Sequence, residues 1–246
     1  MTSIAYQIVD DWLCASNGVR TYDSMSIDLS GLGIDKLPSN FPTFFTGMLN
    51  CSHNNFKTLT HLRVKHVDCS YNQLTCLVLP SVGIINCSNN LLTSLELPSV
   101  YYTANCSNNR LTTLLLRNAS IVIASNNMLD MVDFSRAVHV FVQDNQLTLL
   151  DLPVARSVDC SNNQLIHLNS PKAITLVCNE NPLKSIQWTE YLEAHNSRIG
   201  LHLSCFSSKY QSTLIAYKFI TLLTKSVYRT RYNVLKGSLI QPITLK

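Results

Sequence analysis

Asparagines at 54, 72, 90, 109, 127, 145, 163 and 181 stand 18 residues apart, with a single step of 19 between Asn90 and Asn109. Each sits in the same short phrase, which reads L-N-C-S-H-N-N-F at 49–56, V-D-C-S-Y-N-Q-L at 67–74, I-N-C-S-N-N-L-L at 85–92 and V-D-C-S-N-N-Q-L at 158–165. A chain that repeats itself at this interval cannot fold around one compact centre. Each unit is too short to bury its own apolar residues, so the units must stack and share an elongated core.

Counting the residue two before the Cys column as position 1, apolar residues recur at positions 1, 3, 8, 11, 13 and 16: Val67, Cys69, Leu74, Leu77, Leu79 and Val82 in one unit, and Val158, Cys160, Leu165, Leu168 and Ala173 in another, where Ser170 takes position 13. This spacing marks a leucine-rich-repeat solenoid. It predicts a right-handed stack of nine parallel strands starting near 27, 49, 67, 85, 104, 122, 140, 158 and 176, forming a β-sheet on the concave face, with a mostly irregular convex side. Positions 1 and 3 alternate inward as a strand requires. The position-6 asparagines follow the strand, where the backbone turns and leaves amides and carbonyls to be satisfied. Stacked eight deep, Asn54, Asn72, Asn90, Asn109, Asn127, Asn145, Asn163 and Asn181 form a structural ladder, scaffold and not site.

Cys51, Cys69, Cys87, Cys106, Cys160 and Cys178 share position 3 with Ala124 and Val142. A slot that exchanges Cys for Ala and Val is small, apolar and buried, and free Cys suits it. The odd total of nine cysteines and an N-terminus without the basic and long apolar regions of an export signal predict free thiols in a reducing compartment. The N-x-S triplets at Asn50, Asn86, Asn105 and Asn118 are then by-products of the repeat. Leu214 to Leu223, the most apolar stretch of the last third, is ten residues long and includes Lys218. A membrane span needs about 20.

The coil at 27–37, I-D-L-S-G-L-G-I-D-K-L, keeps the pattern but has Leu32 in the Asn position, and a 22-residue step follows it. Both features fit a boundary coil. Ahead of it, Ile4, Ile8 and Trp12, with Ala5, Val9 and Leu13, have helical spacing and predict a cap over residues 1–26. A short helix with a Trp, then D-L-S-G-L-G-I-x-x-L-P, then units of L-x-V/C-S-x-N-x-L-T-x-L-x-L-P resemble the bacterial-type leucine-rich repeats of the YopM and IpaH class of pathogen effectors, repeats that also occur in large DNA viruses. The resemblance covers about residues 4–186. IpaH-type members append a ubiquitin-ligase domain whose catalytic Cys sits in C-x-D, and none of the nine cysteines here is followed by x-D. The resemblance therefore implies a repeat-only effector without ligase activity.

The solenoid is expected over 27–186, followed by a basic, mainly helical C-terminal cap or tail at 187–246. From Asn196 onward there is no acidic residue and a charge of +8, which leaves −4 for the residues before it, since the whole chain is +4. Two readings stay open for this segment: a capping subdomain with solvated lysines, or an electrostatic tail in which Lys218, Lys225, Arg229 and Arg231 meet an acidic protein or an anionic membrane surface. No motif points to specific nucleic-acid binding.

Chemistry is scarce. There is no phosphate loop, nucleophile elbow, H-E-x-x-H or Cys pair at zinc spacing, so neither an enzyme, a metal site nor a cofactor is expected. Asp68 and Asp159 lie five coils apart, about 24 Å at the usual strand spacing, too far to act as a pair. The outward strand positions 0 and 2 vary, and turn apolar at Ile121, Ile123 and Phe141. With His139, Asp68 and Asp159 around them, these residues predict an interface core with a polar rim on the concave face. The sequence thus predicts a non-enzymatic scaffold that binds a protein partner, an intracellular effector or adaptor working in the host cytosol if it comes from a pathogen. The alternative is a structural component of a virion or other assembly, the solenoid serving as spacer and the basic tail as fastening.

Overall fold

The structure, a computed structural model, describes residues 2–15, 26–42, 45, 47–60, 62–95, 97, 100–183 and 185–187. One helix, α1 (Thr2–Ala15), precedes a nine-stranded sheet. The strands are β1 (Ser26–Asp28), β2 (Met48–Asn50), β4 (His66–Asp68), β6 (Val82–Asn86), β7 (Val100–Asn105), β9 (Ile121–Ile123), β11 (His139–Phe141), β13 (Ser157–Asp159) and β15 (Thr175–Val177). Every neighbouring pair is parallel, and the sheet order follows the chain. These are the nine strands that the period predicts. The fold is a leucine-rich-repeat solenoid, and its continuous spine of buried residues runs from α1 to Leu183.

The strands are short because only one side chain in each points inward. Ile27, Leu49, Val67, Ile85, Ala104, Val122, Val140, Val158 and Leu176 are all buried, and the residues on either side of them face out. Behind them the position-8 residues, including Leu74, Leu92, Leu111, Leu129, Leu147 and Leu165, are 0% exposed. The outer wall is small: Ala119, Ala137 and Ala155 leave no accessible surface.

The convex side is more regular than its sequence implies. It carries β3 (Thr58–Thr60) paired with β5 (Cys76–Val78), β8 (Thr113–Leu115) with β10 (Met131–Asp133), and a third ladder of β12 (Leu149–Asp151), β14 (His167–Asn169) and β16 (Ser185–Gln187). The cause is the position-11 leucine. Leu59, Leu77, Leu114, Leu150 and Leu168 are buried, which pins the middle residue inward and turns its two neighbours out, the period of a strand.

α1 closes the N-terminal end on a narrower stripe than the spacing suggests. Ala5, Val9 and Trp12 are buried while Ile4 and Leu13 stand exposed. Trp12 meets Phe45 edge-on at 5.3 Å, and Asn40 Nδ2 donates to Tyr6 O at 3.0 Å and to Asp10 Oδ1 at 2.9 Å. The helical region predicted after residue 187 lies outside the described residues.

Position 5 has a backbone requirement that the repeat does not announce. His53, Tyr71, Asn89, Asn108, Asn126, Asp144, Asn162 and Glu180 all adopt φ between 52° and 59°, as does Gly31 (φ 67°) in the boundary coil. Asn tolerates this left-handed conformation; a long or aromatic side chain is strained in it. Tyr71 recovers part of that cost by stacking on His53 of the preceding coil, with ring centroids 4.4 Å apart. Exposed Glu180 has no such stacking partner among the described residues. Glu180→Asn should therefore raise stability by about 0.5–1 kcal/mol, read as a higher urea midpoint at unchanged slope. A lower midpoint would refute the strain argument.

Candidate functional site

The outward row of the concave sheet is built by two ladders lying side by side. In the first, each position-6 Asn clamps its own coil to the one before. Asn109 Nδ2 lies 3.0 Å from Cys87 O, 3.1 Å from Cys106 O and 3.2 Å from Ser107 O, and its Oδ1 accepts from Leu92 N at 3.0 Å. The other seven asparagines repeat this set, from Asn54, which donates to Leu29 O, to Asn181, which donates to Cys160 O. All eight are buried.

The second ladder joins position 2 to position 4. The side-chain oxygen of Asp or Asn at position 2 accepts from the backbone N–H of the residue two along, and often from its hydroxyl. Asp68 Oδ1 accepts from Ser70 N at 3.0 Å and Ser70 Oγ at 2.6 Å; Asp159 does the same with Ser161 at 3.1 and 2.7 Å. Asp28, Asn50, Asn86 and Asn105 follow suit. This Asx turn fixes the chain as it leaves the strand. Asp68 also accepts from Asn86 Nδ2 at 3.1 Å. The two aspartates expected at the partner's rim are thus already holding the scaffold in shape, and the sheet order places five strand steps between them.

That second ladder stops at β9 and β11, where position 2 is Ile123 and Phe141. The pairing sets His139 beside Ile121 and Phe141 beside Ile123, so four of the predicted site residues form one two-by-two block. All four are half-buried. Deprived of an Asx partner, Ser125 Oγ turns to Ser107 Oγ at 3.1 Å. Gln143, at position 4 of the next coil, has its Oε1 buried with no hydrogen-bond partner among the described residues. Lys218, Lys225, Arg229 and Arg231 lie outside the described residues.

The most exposed apolar side chains of the sheet are others. Met48 is 55% exposed, Ile84 38%, Tyr101 53% and Tyr102 60%. The tyrosines come from the one 19-residue step: Val82 pairs with Val100 and Ile84 with Thr103, so β7 holds one residue more than its partner and bulges. The signal was present in the interval between Asn90 and Asn109, but locating the extra residue needs the strand register. Met48, His66, Asp68, Ile84 and Asn86 also line a shallow hollow of about 410 Å³ on this face.

Among the described residues no group of His, Cys, Asp or Glu could hold a metal ion, and no helix is long and apolar enough to cross a membrane. Cys51, Cys69, Cys87, Cys106, Cys160 and Cys178 are free thiols buried in the position-3 column, and Cys76 is a free thiol exposed on the convex side. Burial, with a smaller contribution from the Asp68 charge, pushes the Cys51 thiol up to about 12. Burial and neighbouring thiols push Cys69 up, and a bond with Cys87, then burial, does so for Cys106.

No protein-family model matches the chain, and no curated protein matches it. Among solved structures it is similar to YopM from Yersinia enterocolitica WA-314, at 18% identity and a TM-score of 0.36 over 77% of this chain and 62% of that one. The chain thus spans less than two thirds of that structure's length. Its assignment to the leucine-rich-repeat fold rests on its own parallel strands and asparagine ladder. Solenoids of this kind serve typically as protein-interaction scaffolds.

Proposed function

We propose that this protein is a non-enzymatic scaffold that captures a partner protein on its concave face, as an effector or adaptor inside a cell. The observation that carries this reading is the interruption of the Asx ladder at Ile123 and Phe141. Everywhere else from Asp28 to Asn105, and again at Asp159, position 2 spends its polar atoms on the scaffold. At these two coils the scaffold gives up that bond and presents Ile121, Ile123 and Phe141, with His139 beside them. Such a block, apolar at the centre and hydrogen-bonding around it, has the make-up of an interface core.

An Ile123→Asp, Phe141→Asp double variant should reduce partner capture at least about a hundredfold, because docking would then bury unpaired carboxylates. Affinity purification beside wild type, with equal melting temperatures as the control for folding, reads this directly. Neutralising Lys218, Lys225, Arg229 and Arg231 together should instead slow association and flatten its salt dependence. If the double variant still captures every partner while the neutralised tail captures none, the concave-face reading fails and the tail is the working part. A partner set made up of this chain's own assembly, lost only with the tail, would favour a structural component.

A further inference from the structure

One column of the concave sheet alternates. At position 0, successive coils place Ser26, Met48, His66, Ile84, Thr103, Ile121 and His139 in register along the sheet. Large aliphatic side chains recur at every second coil, with small or polar ones between. Tyr102 is added to the row by the bulge and stands 60% exposed beside it. The nine strands of this sheet contain Asp28, Asp68 and Asp159 and not one Lys or Arg.

We propose that this row seats a proline-rich segment of a protein partner, in the polyproline II conformation, lying across the strands with a basic residue toward Asp28 and Asp68. The inference rests on the concave face being the docking face, and names what docks there. The argument is one of matching periods. Strands about 4.8 Å apart put the aliphatic positions about 9.6 Å apart. A polyproline II helix repeats every three residues at about 3.1 Å each, or about 9.3 Å, so one residue per turn meets Met48, Ile84 and Ile121 in succession with little drift. An extended strand repeats on one face every ~6.7 Å and falls out of step at the first interval. An α-helix returns to the same face after seven residues, about 10.5 Å, and is nearly 2 Å out by the third contact. Exposed tyrosines suit such a ligand, whose prolines pack on aromatic walls. Its backbone has no internal hydrogen bonds. Asn50 and Asn105, whose Oδ1 atoms are taken up by Ser52 and Ser107, have side-chain N–H groups with no partner among the described residues to offer its carbonyls. The carboxylates, unopposed by any cation in the sheet, favour a basic flank.

Selection of a random twelve-residue peptide library, displayed on phage, against the immobilised full-length chain tests this. The enriched peptides are expected to carry prolines three residues apart with Lys or Arg near one end. Measured by fluorescence anisotropy, their binding should weaken at least tenfold on Ile84→Ser and on Tyr102→Ala. Serine is chosen because it removes the apolar contact without altering the charge. Met48→Ser supplies the same reading should Ile84→Ser fail to fold. Enriched peptides that lack the proline spacing yet are lost on Ile84→Ser would overturn the polyproline inference and leave the concave-face reading standing. Binding that survives Ile84→Ser, Met48→Ser and the Ile123→Asp, Phe141→Asp variant would overturn both. A selection that enriches nothing overturns the inference as well.

Discussion

Asn109→Ala should lower the stability of the stack by about 3 kcal/mol, far more than its exposed neighbour Asn108→Ala, for which about 1 kcal/mol is expected. The difference follows from what each side chain does. Asn109 is buried, meets carbonyls of two coils and accepts the Leu92 N–H, so its removal orphans backbone groups that water cannot reach. Each buried group left unpaired costs about 1–3 kcal/mol. Asn108 only supplies tolerance of φ 55°. Chemical denaturation of both variants checks this; equal midpoints would mean the ladder carries no such weight.

The second large effect is in thiol chemistry. At pH 8 the exposed Cys76 should be labelled by a thiol reagent well before the buried Cys51, whose ionisation alone slows it about a thousandfold relative to the unfolded chain. The thiolate is the reactive form, and a pKa raised from 9.0 to about 12 reduces its population by three powers of ten. Steric exclusion adds to this. Mass spectrometry of the labelled sites gives the order directly, and denaturant should bring the rates together. The same shift makes stability depend on pH: the buried neutral thiol is fully tolerated below pH 9, and stability falls as pH climbs from 9 toward 12, because only the unfolded chain can ionise there. Labelling of Cys51 or Cys69 as fast as Cys76 would contradict the burial.

The stack was legible because its demands are identical in every coil. Val67, Cys69 and Leu74 occupy slots whose size and polarity recur, and a recurring slot writes itself into the chain at a fixed interval. The Asn at position 6 is readable for the same reason: no other side chain donates and accepts across two coils in that space. Position 5 was not legible, because a left-handed backbone is met by Asn in some coils and by His53, Tyr71 or Glu180 in others, at a cost too small to exclude them. Asp68 and Asp159 looked like rim charges when each was read alone; their role appears only when taken with the serine two residues on. Tyr101 and Tyr102 escaped because an inserted residue shifts which side chains face out, and only the pairing of Ile84 with Thr103 shows where the shift is absorbed. Ile121, Ile123, His139 and Phe141 were found together because strand alternation alone suffices to place them.

The asparagine ladder also has a direction. Each Asn reaches back to a carbonyl and an amide of the preceding coil, never forward: Asn72 holds Cys51 O and Phe56 N, and Asn181 holds Cys160 O and Leu165 N. This accounts for Leu32 at the corresponding place in the first coil, which has no earlier coil to hold. A chain emerging from the ribosome meets this constraint in order of synthesis. Every coil completes its hydrogen bonding only when the next has been made, so the molecule is finished like a row of stitches, each loop secured by the one after it.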